Sequence, residues 1–155
     1  MNMPFYLRKS TRLQKYDYSS NNYYFITICT HNKKCIFGTI ESLNVNGEIA
    51  KKELELIPQR YEGVYLDNYI VMPNHIHAII VLENQKKSLS EIIGLYKSGV
   101  SKKIREKNGS VQVWQRSFHD HIIRNERSYL EIWEYVTYNA QKWERDCFYM
   151  DAEDN

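Results

Sequence analysis

Cysteine is scarce in this chain: Cys29, Cys35 and Cys147 are the only three. An odd number without metal-ligand spacing excludes a disulfide framework and a thiolate zinc site, and it suits reduced, structural thiols. Long apolar runs are missing as well. None approaches the roughly 20 residues needed to cross a bilayer, so no membrane partner is expected. The opening "MNMPFYLRKSTRLQKYDYSS" is basic, but no apolar stretch follows it. It is therefore not a secretory signal, and the expected location is the cytoplasm. Repeats and low-complexity linkers are absent too. The 155 residues suit a single globular domain, 1–155, with room for a sizeable core.

Net charge is small, +2, but it is unevenly placed. Residues 1–18 carry a net +3 from Arg8, Lys9, Arg12 and Lys15 against Asp17, and residues 86–107 carry a net +5 that includes Lys97, Lys102 and Lys103. Residues 144–155 form an acidic tail of net −4. Two basic segments, one of them the N-terminal 20 residues or so, suit a polyanionic partner, although solvated helix faces would look the same. The 13 tyrosines add rings that could stack on unpaired bases.

Local patterns give an order of elements. "NYYFITICT" reads as a first strand. "NVNGEI" carries an Asn-Gly turn signal, with a helix expected from about Ile49 to Arg60 and Ala50, Leu54 and Ile57 on one face. "VYLDNYIVM" and "HIHAIIVL" read as antiparallel strands around Pro73-Asn74. Leu89, Ile92, Ile93, Tyr96, Val100 and Ile104 recur at helical spacing, and Asn108-Gly109 should end that helix. Residues 111–124 read as extended. A last helix should start after Asn125 and run to about Trp143. The order β, α, β, β, α, β, α predicts an α+β fold: a ferredoxin-like antiparallel sheet with helices packed mainly on one face.

The strand "HIHAIIVL" opens with two imidazoles. Residues two apart in a strand share a face, so His75 and His77 project together beside Ile79 and Val81, and Ile76, Ala78, Ile80 and Leu82 take the other side. Two buried imidazoles side by side are either core residues bonded to the backbone or half of a metal site. A second pair, His119 and His121 in "FHDHII", raises the alternative of four imidazoles around a zinc ion in a hydrolase.

In the last helix, about 100° per residue puts Ile132, Trp133, Val136, Ala140 and Trp143 on one stripe with Tyr129. Tyr138 falls opposite, toward solvent. Tyr135 and Asn139, four apart, stack on one flank. A hydroxyl and an amide oxygen are thereby offered together at the edge of the core.

These segments carry a family likeness. "YIVMPNHIHAIIVL" followed by "VWQRSFHDHIIRNERSYLEIWEYVTYNAQKW" resembles the REP-associated tyrosine transposases. These are members of the single-tyrosine HUH superfamily of DNA-strand transferases, where U is a bulky apolar residue. "RKSTRLQKYDYS", "YYFITICTHNKKCIFG" and "GLYKSGVSKKI" resemble the family's opening segment, first strand and basic middle helix. The resemblance implies a ferredoxin-like fold. It also implies a metal site of His75, His77 and Asn139, with Ile76 as U, and Tyr135 as the nucleophile. His121 and Arg124 fall in the family's W-Q block without an assigned role, and His119 stands where relatives often carry an aromatic residue. Relatives commonly have proline where this chain has Ala140, and alanine should let the helix continue.

The implied reaction is cleavage and rejoining of single-stranded DNA beside a hairpin through a 5′-phosphotyrosine. The implied cofactor is Mg2+ or Mn2+, although the ligand set alone would favour zinc. Arg8, Lys9, Arg12, Lys15, Lys97, Lys102 and Lys103 are the candidate DNA contacts. A transposase descendant that binds hairpins without cutting them is the main alternative. A homodimer, in which Tyr135 of one chain meets the histidines of the other, stands beside a monomer.

Overall fold

The computed structural model describes residues 22–145. Four strands, β1 (Asn22–Cys29), β2 (Val64–Met72), β3 (His75–Leu82) and β4 (His119–Ile123), form one sheet in the order β2-β3-β1-β4, every neighbouring pair antiparallel. Three helices connect and cover it: α1 (Val45–Glu55), α2 (Leu89–Asn108) and α3 (Glu126–Tyr138). A helical turn, Ile57–Arg60, follows α1, and a 3-10 segment, Asn139–Arg145, follows α3. Element order and strand order together are those of the ferredoxin-like fold.

β3 is the central strand, buried along its full length between β1 and β2. Its even-numbered residues Ile76, Ala78, Ile80 and Leu82 pack with Ala50, Leu54 and Ile57 and with Ile92, Ile93, Tyr96, Val100 and Ile104 of α2. Each large apolar side chain so buried contributes roughly 1.5–3 kcal/mol, so this layer dominates the core. The odd-numbered Ile79 and Val81 face the other way, against Tyr23, Ile123, Tyr129 and Trp133. Two helices therefore share one face of the sheet and α3 lies on the opposite face, with His75 and His77.

Helix ends follow their side-chain chemistry. Ser88 and Glu91 form a reciprocal capping box at the start of α2, and Gly109 ends that helix at φ 73°, a conformation open to glycine. The Asn125 side chain accepts from the Ser128 amide and starts α3. The Asn46-Gly47 pair is not a turn. Asn44 caps the helix by accepting from the Gly47 amide at 2.9 Å, so α1 begins at Val45, earlier than expected. Glycine is required there by contact, because a Cβ at Gly47 would lie 2.3 Å from the Phe37 carbonyl oxygen.

The extended stretch before α3 is shorter than expected. Only His119–Ile123 is strand, with one isolated bridge between Thr30 and Trp114. The last helix also changes character. It stays α-helical to Tyr138 and then tightens to 3-10, with a kink at Lys142 (φ −111°, ψ 20°) that lets Trp143 reach His75. Cys29 is buried and Cys35 half-buried, and Cys147 lies outside the described residues. No helix among the described residues is long and apolar enough to cross a membrane.

Candidate active site

Register places the two histidines at one end of the sheet. His75 pairs with Cys29 on one side and Met72 on the other, and His77 pairs with Thr27 and Ile70. Both rings are buried, at 0% and 2% exposure. Their Nε2 atoms converge to 3.1 Å.

The surrounding hydrogen bonds fix which nitrogen of His75 carries its proton. Asn74 Nδ2 donates to the Lys33 carbonyl (3.1 Å), so its Oδ1, 2.8 Å from His75 Nδ1, must accept. His75 therefore holds its proton on Nδ1 and turns a bare Nε2 toward His77. The Thr27 hydroxyl sits 2.9 Å from His77 Nδ1 and can accept or donate, so it accommodates either His77 tautomer. Two bare lone pairs cannot face each other at this distance without a proton or a cation between them.

α3 brings the other groups. The Thr137 flank of this helix faces β2, where Asn68 Nδ2 donates to the Trp133 carbonyl (3.2 Å) and to Thr137 Oγ1 (2.9 Å). Asn68 sits beside a β-bulge in β2, and the Tyr129 hydroxyl donates to Asp67 in the same bulge. With that flank anchored, the opposite flank turns toward β1. There the Tyr135 hydroxyl lies 3.4 Å from His77 Nε2, and its ring meets Phe25 edge-on at 6.1 Å. Tyr135 thus lies against a histidine of its own chain. Tyr138 is 45% exposed, as the helical count requires.

Asn139 is 1% exposed, and its Oδ1 is buried with no hydrogen-bond partner among the described residues. Such an orphan acceptor costs about 1–3 kcal/mol, and here it is a neutral oxygen donor. Amide oxygens and imidazole nitrogens are donor types that a divalent cation accepts. The indole of Trp143 stacks on His75, with centroids 6.1 Å apart and planes at 25°.

The second histidine pair does not join this site. His119 shares a row with His77, but β1 lies between β4 and β3, and Thr27 occupies the intervening position. Two inter-strand steps separate the backbones by about 9.6 Å. Among the described residues no group of three or more His, Cys, Asp or Glu is placed to hold a metal. The four-imidazole cluster is thereby corrected.

The cationic residues divide in use. Arg8, Lys9, Arg12 and Lys15 lie outside the described residues. Lys97 donates to the carbonyls of Gln115 (2.9 Å) and Ser117 (2.8 Å), which pins the segment before β4, and burial lowers its pKa. Lys103 bonds Glu53, a buried carboxylate also held by Arg60 at 2.6 Å. Lys102 stays exposed in a groove on α2 with Ser98, Ser101, Arg105 and Trp114.

Thr27, Asn74, Phe25 and Trp143 are parts of the site that sequence reasoning missed. Asn74 stood inside the M-P-N-H-x-H motif and read only as a turn residue. Trp143 read as core. Nothing local identifies Thr27, because its role exists only through the β1–β3 register.

Comparison with known proteins agrees with this architecture. Residues 18–139 match the family model described as transposase, IS200-like. An uncharacterised protein of Haemophilus influenzae is 37% identical, the match covering 93% of this chain and 94% of that one. A second protein of that organism, assigned to the REP-associated tyrosine transposases, is 24% identical over 81% of this chain and 74% of its own. Among solved structures, a REP-associated tyrosine transposase bound to a REP hairpin superposes with a TM-score of 0.64 at 18% identity, covering 78% of this chain and 67% of that one. A Deinococcus radiodurans protein assigned as a transposase superposes at 0.55 and 14% identity, covering 76% of this chain and 89% of that one.

Proposed function

The chain belongs to the IS200-like transposase family, and from that premise we propose that it cleaves and rejoins single-stranded DNA beside a hairpin, with Tyr135 as the nucleophile. One observation carries this reading: a part-buried tyrosine hydroxyl, delivered by a separate helix, sits 3.4 Å from one of two buried imidazoles whose Nε2 atoms converge. A core packing role would not need the hydroxyl there.

In the reaction the Tyr135 oxygen bonds to the scissile phosphorus and the bond to the 3′ oxygen breaks. The products are a 5′-phosphotyrosine and a free 3′-hydroxyl. The covalent link conserves the phosphodiester energy, so a second 3′-hydroxyl can reverse the step and join strands. A free phenol titrates near 10, so attack at neutral pH needs assistance. His75, His77 and Asn139 would hold Mg2+ or Mn2+, which when bound supplies charge neutralisation at the phosphate and orients it for in-line attack. Asn74 holds His75 in the tautomer this requires, and the Thr27 hydroxyl can accept from His77 Nδ1 in the matching one. Asn68 and Asp67 hold α3 against β2, which sets the reach of Tyr135.

The hairpin is the substrate class that the REP-bound relative suggests. Lys102 and Arg105, in the groove on α2, are the described residues best placed to meet its phosphates. The N-terminal basic segment, with Arg8, Lys9, Arg12 and Lys15, supplies further positive charge. The test is a denaturing-gel assay with labelled hairpin DNA from sequence flanking the gene, plus manganese. Wild type should give a covalent protein–DNA band and Tyr135→Phe none. A band that persists in Tyr135→Phe rejects the nucleophile. Hairpin binding without a band in either protein favours the binding-only alternative.

A further inference from the structure

We infer that the corner of the sheet formed by β4 and the end of β1 is a shelf for the unpaired nucleotides next to the scissile phosphate, with His119 and His121 as its stacking surface. This rests on the proposed DNA-cleaving function and extends it to residues outside the metal-ligand set.

The shelf follows from how α3 crosses the sheet. It leaves the end of β4, covers Tyr23, Val81 and Ile123 with Tyr129 and Trp133, and is drawn toward β2 by Asn68. Among the described residues nothing covers the opposite corner. There the register sets His121 beside Phe25 and His119 beside Thr27, all on the face that carries His77. Both β4 histidines are exposed, Phe25 is half-buried, and β4 is an edge strand.

The shelf is continuous with the active site. The Phe25 ring lies 5.3 Å from the His77 ring and 6.1 Å from that of Tyr135, so a strand lying across the two β4 imidazoles leads to the Tyr135 hydroxyl. Exposed rings on a flat sheet face suit unpaired bases, which stack without regard to sequence. A duplex would offer no free base faces to them.

Charge supports the same occupant. Arg116 and Arg124 are exposed on either side of β4. Asp120 alternates to the far face, and Glu131, on the Tyr135 flank of α3, is paired with Arg127 at 3.2 Å. The neighbouring carboxylates therefore do not oppose a phosphate backbone.

The test compares two oligonucleotides, a hairpin from the gene's flank with a short single-stranded extension and the same hairpin blunt. Binding is read by fluorescence anisotropy at fixed salt in the Tyr135→Phe background, so that cleavage does not intervene. The His119→Ala/His121→Ala double variant should bind the extended hairpin about tenfold or more weakly and the blunt one unchanged. His119→Tyr/His121→Tyr, which keeps the rings, should retain most of the affinity. Equal binding of the extended hairpin by parent and alanine variant overturns the shelf, as does an equal loss on both oligonucleotides. A missing covalent band with extension-dependent binding intact would refute the nucleophile and leave the shelf standing.

Discussion

Asn74→Ala should loosen metal binding without touching a metal ligand. Asn74 is fully buried, and its side chain bridges the Lys33 carbonyl and His75 Nδ1. The first bond fixes the amide, so the second holds the His75 proton on Nδ1 and leaves Nε2 bare. Removing the amide frees the ring to hold its proton on Nε2, the nitrogen a cation needs. Supports of this kind are worth about 10–100-fold in metal affinity, or about 1.4–2.7 kcal/mol. Loss of the bond to the Lys33 carbonyl adds a stability cost of about 0.5–1.5 kcal/mol. The two effects separate experimentally. Mn2+ affinity is measured by EPR titration on protein shown to be folded by circular dichroism. Asn74→Asp keeps an acceptor facing His75 but loses the donor to Lys33, so it should recover most of the affinity and little of the stability. Equal Mn2+ affinity in wild type and folded Asn74→Ala would refute the reasoning, because the tautomer would then not depend on Asn74.

Three further outcomes follow from other parts of the fold. Asn68→Ala removes two bonds between β2 and α3 and leaves the one from Tyr129 to Asp67, and urea denaturation should show a loss of about 2 kcal/mol; no change would mean that the apolar stripe and the Tyr129–Asp67 bond suffice to hold α3. Gly47→Ala should destabilise by about 1–3 kcal/mol, although alanine is the better helix former, because its Cβ would meet the Phe37 carbonyl; a raised Tm would contradict that contact. Burial pushes the Glu53 carboxyl up, but bonds and charges from Arg60 and Lys103 outweigh it and hold the pKa below its ordinary value. The stability this confers is present above the unfolded-state value, about 4.3, and is lost as pH falls through the folded one. Wild type should therefore lose more stability than Glu53→Gln on acidification below about pH 4.3, and parallel acid-unfolding curves would contradict the assignment.

Much of this architecture was legible because the chain's local and global preferences agree. The apolar run of β3 announced a central strand, and its two-residue period put His75 and His77 on one face. The 3.6-residue period of the last helix placed Tyr135 and Asn139 on one flank and Tyr138 in solvent. Failures came where a contact distant in sequence decides. Asn46-Gly47 has the local chemistry of a turn, but the Asn44 cap and the nearby Phe37 carbonyl make it the first turn of α1. Ala140 permits an α-helix, yet the chain tightens to 3-10 and Trp143 meets His75. The second histidine pair looked like two more ligands because sequence spacing does not reveal that β1 inserts between β3 and β4. Thr27 and Asn68 have roles that exist only through strand register and a bulge.

The central claim is that Tyr135 becomes covalently bound to DNA, and peptide mass spectrometry tests it most directly. Wild-type protein is incubated with hairpin DNA and manganese, digested with nuclease and protease, and the peptide containing Tyr135 is sequenced. A nucleotide phosphate on Tyr135, absent from His77→Ala protein, is the predicted result. A modification on another residue, or an unmodified Tyr135 in protein that has cut the DNA, would contradict the account.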